Sequence, residues 1–599
     1  MKKTFLLSCL MLAAMPVMAA YTGHVYVDKN KNGVFDQSEK PLAGIKVSDG
    51  LNVVETAADG SFTLPGHERE RFIFITTPSG YKTFNRHYHK IEKKQSGYDF
   101  GLIPYSGRIR KDGSHRYIHI TDTEIFNTEN HADWVNNVHD YARNEQAAFI
   151  IHTGDICYEK GLKAHIKLMN TENMDCPVFY CIGNHDLVKG KYGEELFESI
   201  YGPVYYSFDA GNVHYVVTPM PGGDHAPGYT SDDVCRWLKN DLAHIRPGTP
   251  VVVFNHDLLT YEDTFIFKSK NAGSINLNEY NLKAWVYGHW HINYMKKQGD
   301  VYSVCTSSLD KGGIDHSTTA FRVMHVDSKG DFTSELRYTY LDKNICIASP
   351  AGVMASGVLP VAVNVYSSVS PVREVLYTCL ADGKPVLKNK RLLQSTDWSW
   401  NGELPLSHKY VGKELTLRVT ARFNNGEIAE AESNFICRTE KTVPLFSADW
   451  DNLSGNAKHS APVSAPLNLP LQLAWTNNVG ANLYMTSPLI HKGKVIVASV
   501  DEDLKGAGHV YALNGKDGTI LWSCPVRNSI KNSIAVDSDI VFAQDAQGFL
   551  YAIDTETGKL CWEKQLPVNG LPALIDGLVA GEGVVYAGTG KGLCAFEAR

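Results

Sequence analysis

Five short apolar runs, each closing on polar residues able to bind metal or move a proton, constrain this chain more than any other feature. Tyr117-Ile118-His119-Ile120 runs out at Asp122, Phe149-Ile150-Ile151 at Gly154-Asp155, and Pro177-Val178-Phe179-Tyr180-Cys181-Ile182 at Gly183-Asn184-His185-Asp186. Val251-Val252-Val253-Phe254 ends at Asn255-His256, and Ala284-Trp285-Val286-Tyr287 at Gly288-His289-Trp290-His291. Runs of this length read as buried strands. Helical periodicity separates the first two, with Trp134, Val138 and Tyr141 on one face. Strands alternating with helices between Arg116 and Asp342 predict an α/β region. In such folds, metal and phosphate sites gather beyond the carboxyl ends of the strands. One polar strand ending is ordinary loop chemistry, but five together, with glycine before Asp155, Asn184 and His289, describe a site.

The order and growing spacing of Asp122, Gly154-Asp155, Gly183-Asn184-His185-Asp186, His256 and Gly288-His289-Trp290-His291 resemble the five motifs of the calcineurin-like metallophosphoesterases. Tyr205-Tyr206-Ser207-Phe208-Asp209 followed by Asn212-Val213-His214-Tyr215 resembles a strand pair found after the third motif in that family. The resemblance spans residues 116 to 342. It implies a central α/β sandwich of two mixed sheets flanked by helices, over residues 106–342, hydrolysing a phosphomonoester or phosphodiester. It further implies two divalent metal ions (manganese, iron or zinc). Asp155 would bridge them, Asn184, His256 and His289 would complete one shell, and Asp122 and His291 would belong to the other. His185 would stabilise the transferring group or protonate the leaving oxygen, with Asp186 orienting its ring.

One position departs from the family pattern. The first motif is usually Asp-x-His, whereas this chain reads Asp122-Thr123-Glu124. Glu124 is expected to ligate, hardening the site toward manganese, iron or magnesium over zinc. The other reading turns it away and leaves that metal weakly held, which would make the chain a binding platform on a phosphoesterase fold.

The flanks read as all-β. Lys2-Lys3, an apolar Phe5 to Ala14 and Val17-Met18-Ala19 form a secretory leader over residues 1–19, which points to a secreted or periplasmic protein. Residues 20–105 alternate as short strands, such as His24-Val25-Tyr26-Val27 and Phe72-Ile73-Phe74-Ile75, and predict a small β-sandwich. Inside it, Asp28, Asn30, Asn32, Gly33 and Glu39 fill the D-x-[DN]-x-[DN]-G-x5-E pattern of a calcium loop, with Asp36 among them. The loop and the following Pro41-Leu42-Ala43-Gly44 resemble the calcium-binding B-type repeats of bacterial surface adhesins. Residues 343–440 predict an immunoglobulin-like sandwich without reactive groups. Both β regions resemble flanking modules of secreted bacterial members of the phosphoesterase family and would offer a surface to a macromolecular partner.

Residues 441–599 hold a linker, with Pro462, Pro466 and Pro470, and then an internal repeat. Val510-Tyr511-Ala512-Leu513-Asn514 through Trp522 is echoed by Leu550-Tyr551-Ala552-Ile553-Asp554 through Trp562, and Val585-Tyr586-Ala587-Gly588 begins a third echo. A period near 40 residues with a terminal Trp predicts partial β-propeller blades, which resemble the quinoprotein-type (PQQ-like) propeller in shape. No quinone-binding residues are assignable. A formal net charge of -7 argues against a general nucleic-acid or anionic-membrane binder. Twelve cysteines, eleven without Cys9, show no CxxC spacing and no regular disulfide framework.

Overall fold

In the computed structural model, each of the five apolar runs is a strand, and their pairing explains why their polar ends meet. His115–Ile120 lies at the middle of a five-stranded sheet, parallel to Phe149–His152, which is parallel in turn to Val178–Tyr180. Ala320–Val326 and Phe332–Tyr338 extend the other side antiparallel. A six-stranded sheet carries the remaining two runs. Val213–Val217, Val251–Phe254, Leu282–Tyr287 and Val301–Cys305 are parallel, with antiparallel Tyr206–Ala210 and Tyr294–Gln298 at the edges. Both sheets are mixed, and all five polar endings follow the carboxyl ends of parallel strands.

The structure describes residues 20–439, 449–460, 473–483, 485–567, 577–589 and 592–598. The expected leader and most of the proline-bearing linker lie outside them.

One aromatic core joins the two sheets. Tyr117, Phe149 and Phe179 from the first meet Phe208, Tyr215 and Phe254 from the second. The Phe179 and Phe208 rings stack with centroids 3.8 Å apart. A second core covers the outer face of the first sheet, where helix Ala132–Asn144 buries Trp134, Val138 and Tyr141, the face expected from their spacing. Helix Ser231–Ala243 buries Trp237, Leu238 and Leu242 in the shared core, and Thr230 caps it by accepting from the Asp233 N–H.

The flanks are β-rich. Two sheets from residues 21 to 104 enclose their own core, built on Val25, Val47, Phe62 and Ile73. Their Phe72, Phe74 and Tyr88 also enter the central core, and Arg71 pairs with Glu194 and Glu198. Between Asn344 and Arg438, two sheets share a core that includes Val363, Tyr377, Trp400 and Leu417. The C-terminal echo becomes two four-stranded antiparallel sheets, Leu489–Val526 and Ala535–Gln565, and a three-stranded one over Leu578–Glu597. The repeat is kept in register, because Ala512 pairs with Trp522 as Ala552 pairs with Trp562. Among the described residues every cysteine is unpaired, and no helix is long and apolar enough to cross a membrane.

Buried charge ties the second sheet to its covering helix. His214 is fully buried, with Nδ1 2.7 Å from Asp209 Oδ1 and Nε2 2.8 Å from Asp241 Oδ2. Lys46 approaches Asp209 from the N-terminal region at 3.8 Å. Burial works against the imidazolium, but Asp241 and then Asp209 outweigh it and lift its pKa to about 9. A histidine raised on folding stabilises fully below its unfolded pKa of about 6.5 and loses that contribution as pH climbs through the folded value. The urea midpoint should therefore fall between pH 7 and pH 9.5 by the equivalent of about 2–3 kcal/mol. His214→Gln should start lower and show little slope across that window.

Candidate metal centre

The five strand ends converge because their loops interlock at glycine. A Cβ added to Gly183 would lie 2.2 Å from Asp155 Oδ1, and one on Gly288 would lie 1.9 Å from Thr121 Oγ1. No side chain fits at either position, which accounts for the glycine before Asn184 and before His289.

The backbone around the site is held in an uncommon conformation. Asp122, Glu124, Asp155, Cys157, Tyr158, His289 and His291 all adopt positive φ, between 43° and 73°. Each such non-glycine residue costs on the order of 1–3 kcal/mol, so the surrounding contacts over-determine these loops. Asp186 supplies much of that constraint. Its fully buried carboxylate accepts from the N–H groups of Gly183, Asp155 and Cys157, each at 2.9 Å, joining the second and third strand ends. Burial, and then the Asp155 charge, raise its pKa to about 7.

Six of the seven expected ligands surround one small space. His256 donates Nδ1–H to the Thr153 carbonyl at 2.7 Å, which leaves Nε2 as the lone-pair nitrogen, 3.0 Å from Asp155 Oδ2 and 3.9 Å from Asp122 Oδ1. His291 Nε2 lies 3.3 Å from Asp122 Oδ1 and 3.4 Å from Glu124 Oε1. Candidate ligand atoms of Asp155, His256 and His289 fall within 4.8 Å of one another, as do those of Glu124, Asp155 and Cys157. The His289 ring sits 5.0 Å from His256, and its backbone N–H donates to Asp122 Oδ2 at 3.0 Å.

The electrostatics are those of a site short of positive charge. Burial depresses His256, yet Asp155 and Asp122 pull its pKa up, while His256 holds Asp155 ionised against burial. Burial and the neighbouring His256 lower His289 and favour its neutral, ligating form. Asp122 Oδ1, Asn184 Oδ1 and His256 Nε2 are buried and make no well-formed hydrogen bond, although Asp155 Oδ2 stands beside His256 and His291 Nε2 beside Asp122. Orphaned buried polar atoms are costly, and these three are metal-ligand types. The residue set therefore fits divalent cations.

The His185 ring differs from its expected arrangement. Its Nδ1 lies 2.8 Å from Asp224 Oδ2, and its side chain is one-third exposed at the mouth. Burial opposes its charge, but the Asp224 hydrogen bond and the Asp155 charge raise its pKa. Asp186, expected to orient this ring, instead serves the backbone. Within the short helical turn Asn184–Asp186 its side chain points inward and that of His185 outward. Asp224 lies in the glycine-bearing segment Met220 to Thr230, and no sequence motif singles it out. Lys311, which no sequence motif singles out, donates to Glu124 Oε2 at 2.7 Å and to the Glu124 carbonyl at 3.2 Å. Cys157 was also missed; in Gly154-Asp155-Ile156-Cys157 its position after Asp155 was the available signal.

The calcium-loop residues lie elsewhere, and their oxygens serve their own loop. Asp28 accepts from Asn32 and Gly33 N–H, Asn30 Oδ1 from Asn32 N–H, and Asn32 Oδ1 from Val34 N–H. Glu39 accepts from Lys29 and Asp36 N–H, and Asp36 from the Asn30 and Asn32 amides.

With that geometry in place, residues 115–293 match the family model described as Calcineurin-like phosphoesterase, and residues 29–104 match its N-terminal partner, N terminal of Calcineurin-like phosphoesterase. The chain carries a calcineurin-like phosphoesterase domain. C-terminal to the phosphoesterase domain, residues 472–599 match a model described as Outer membrane protein assembly factor BamB, a PQQ-like repeat family. Purple acid phosphatase 13 of Arabidopsis thaliana is 26% identical over 215 residues, covering 34% of this chain and 36% of the relative. The match thus spans about a third of that relative's length. Among solved structures, a predicted phosphoesterase from Streptococcus pneumoniae TIGR4 is 12% identical, covering 38% of this chain and 90% of that one, with a TM-score of 0.20. BamB from Moraxella catarrhalis is 15% identical, covering 43% of this chain and 59% of that one, with a TM-score of 0.15. A europium-containing methanol dehydrogenase is 19% identical, covering 25% and 30%, with a TM-score of 0.21.

Two aspartates near His185 should separate cleanly on substitution. Asp186→Ala strands three buried N–H groups and should cost about 3 kcal/mol or more, read as a fall in the thermal midpoint. Asp224→Ala, at a one-third exposed contact, should leave that midpoint nearly unchanged while lowering turnover of an aryl phosphate about tenfold or more.

Proposed function

We propose that the chain is a metal-dependent phosphoric ester hydrolase holding two divalent ions, acting on phosphomonoesters or phosphodiesters. The observation that carries this reading is the trio of buried ligand atoms without a well-formed hydrogen bond, Asp122 Oδ1, Asn184 Oδ1 and His256 Nε2, at the ends of strands from both sheets. Asp155 would bridge, Asn184, His256 and His289 would hold one ion, and Asp122, Glu124 and His291 the other. When bound, such ions supply Lewis acidity and an activated water.

The remaining work falls to side chains. His185 faces the mouth with Nδ1 held by Asp224, which leaves Nε2 to give a proton to the leaving oxygen. Asp186 keeps the Asn184 and Asp155 loops in register so that both side chains reach the same space. Lys311 fixes one Glu124 oxygen and leaves Oε1 facing His291.

A second reading, a binding protein with a weakened metal position, draws on that same Lys311 contact, because an ammonium already neutralises Glu124. The β-rich flanks, read as sandwich, immunoglobulin-like and partial propeller modules, would present the catalytic region to a larger substrate or surface. The leader pattern supports a secreted or periplasmic location. Calcium at Asp28, Asn30, Asn32, Asp36 and Glu39 rests on the sequence pattern.

The test is turnover of an aryl phosphomonoester and a bis-aryl diester by chelator-stripped protein resupplied with manganese, iron(II) or zinc. Metal-dependent turnover, reduced about a thousandfold in Asp155→Ala and Asn184→Ala, is expected. Glu124→Ala should bind about one ion fewer per chain. Protein that holds two ions and turns over neither ester would overturn the enzymatic reading.

A further inference from the structure

The C-terminal repeats meet the loops beneath the metal centre through a buried lysine. Lys531 follows the first repeated sheet and is only 4% exposed. Its Nζ donates to the Asn293 carbonyl at 2.6 Å and to Asp315 Oδ2 at 2.6 Å, and lies 2.5 Å from Glu502 Oε1. Glu502 belongs to the repeats, whereas Asn293 and Asp315 belong to the phosphoesterase domain and its immediate continuation.

Both contacts in the central region lead directly to expected metal ligands. Asn293 lies two residues beyond His291, so its carbonyl fixes the end of the loop that carries His289 and His291. The other oxygen of Asp315 accepts from the Ser317 N–H and hydroxyl, which closes the loop around residues 308–317. That loop donates the Ile314 N–H to the His291 carbonyl at 2.9 Å and sends Lys311 to Glu124. One ammonium group therefore holds the supports of His291 and Glu124 together. Asn528, from the same side, donates to the Met295 carbonyl at 3.0 Å, and Arg322 donates to the Glu502 carbonyl at 2.9 Å.

A junction that served adhesion alone would gain more from apolar contact, since burying an ammonium is unfavourable until its partners repay the lost hydration. Here its contacts are spent on the backbone and the loop beneath the site. We propose that Lys531 is a positioning residue of the metal centre, so that the C-terminal repeats complete the active site rather than only carry it to a partner. This rests on the phosphoesterase reading above.

The experiment uses the full chain as wild type, Lys531→Met, Lys531→Arg, and the triple variant Lys531→Met, Asp315→Asn, Glu502→Gln. The triple variant replaces all three charged groups with neutral ones, so that the loss of Lys531 strands no buried carboxylate. Thermal midpoint, Mn2+ affinity measured by the free-ion EPR signal, and kcat and KM on an aryl phosphate are read for each. The triple variant is expected to keep a midpoint near wild type, to bind its weaker Mn2+ about 10–100-fold less tightly, and to lose kcat with little change in KM. Lys531→Arg should recover part of both. Wild-type Mn2+ affinity and kcat in the folded triple variant would show that Lys531 only joins domains, and would overturn the inference. Wild-type protein that binds Mn2+ but hydrolyses neither ester overturns the phosphoesterase reading instead, and the affinity comparison still decides the role of Lys531.

Discussion

The carboxylate of Asp186 is the contact on which the site depends. It accepts from three buried backbone N–H groups on two loops, and those loops carry Asp155 and Asn184. Without it, Cys157 and Tyr158 would relax from their positive φ, because nothing local favours that backbone for Cys or Tyr. Local strain and buried negative charge are thus accumulated at one place. Metals are the natural counterweight, and the orphaned oxygens and nitrogen nearby are the atoms that would receive them.

The strand ends were legible in the sequence because burial imposes a pattern there. A parallel strand covered on both faces is largely apolar, so the polar cluster after it marks the sheet edge. Asp122, Asp155, Asn184, His256, His289 and His291 were therefore visible, and so was the buried helix face of Trp134, Val138 and Tyr141. The 40-residue echo was legible for a similar reason, since Tyr511 and Tyr551 occupy equivalent places in repeated sheets.

What could not be read lies in segments without periodicity. Asp224 and Lys311 sit in glycine-rich loops whose paths depend on tertiary contacts, so residue type alone gave them no direction. Asp186 was misassigned because sequence adjacency suggested a partner beside it. A tight turn sends neighbouring side chains to opposite sides, and the aspartate went inward. The link from Lys531 to Asp315 joins residues 216 positions apart, beyond the reach of any local pattern.

The Asp224 contact couples two properties that are often separable in hydrolases. On the phosphoesterase reading proposed above, the segment that supplies the histidine's partner would also meet the departing half of a substrate. Any reshaping of that rim to admit a different alcohol would disturb the hydrogen bond governing how readily the imidazole releases its proton. Selectivity and acid strength in this protein would then drift together, and a graft of the rim would transplant both.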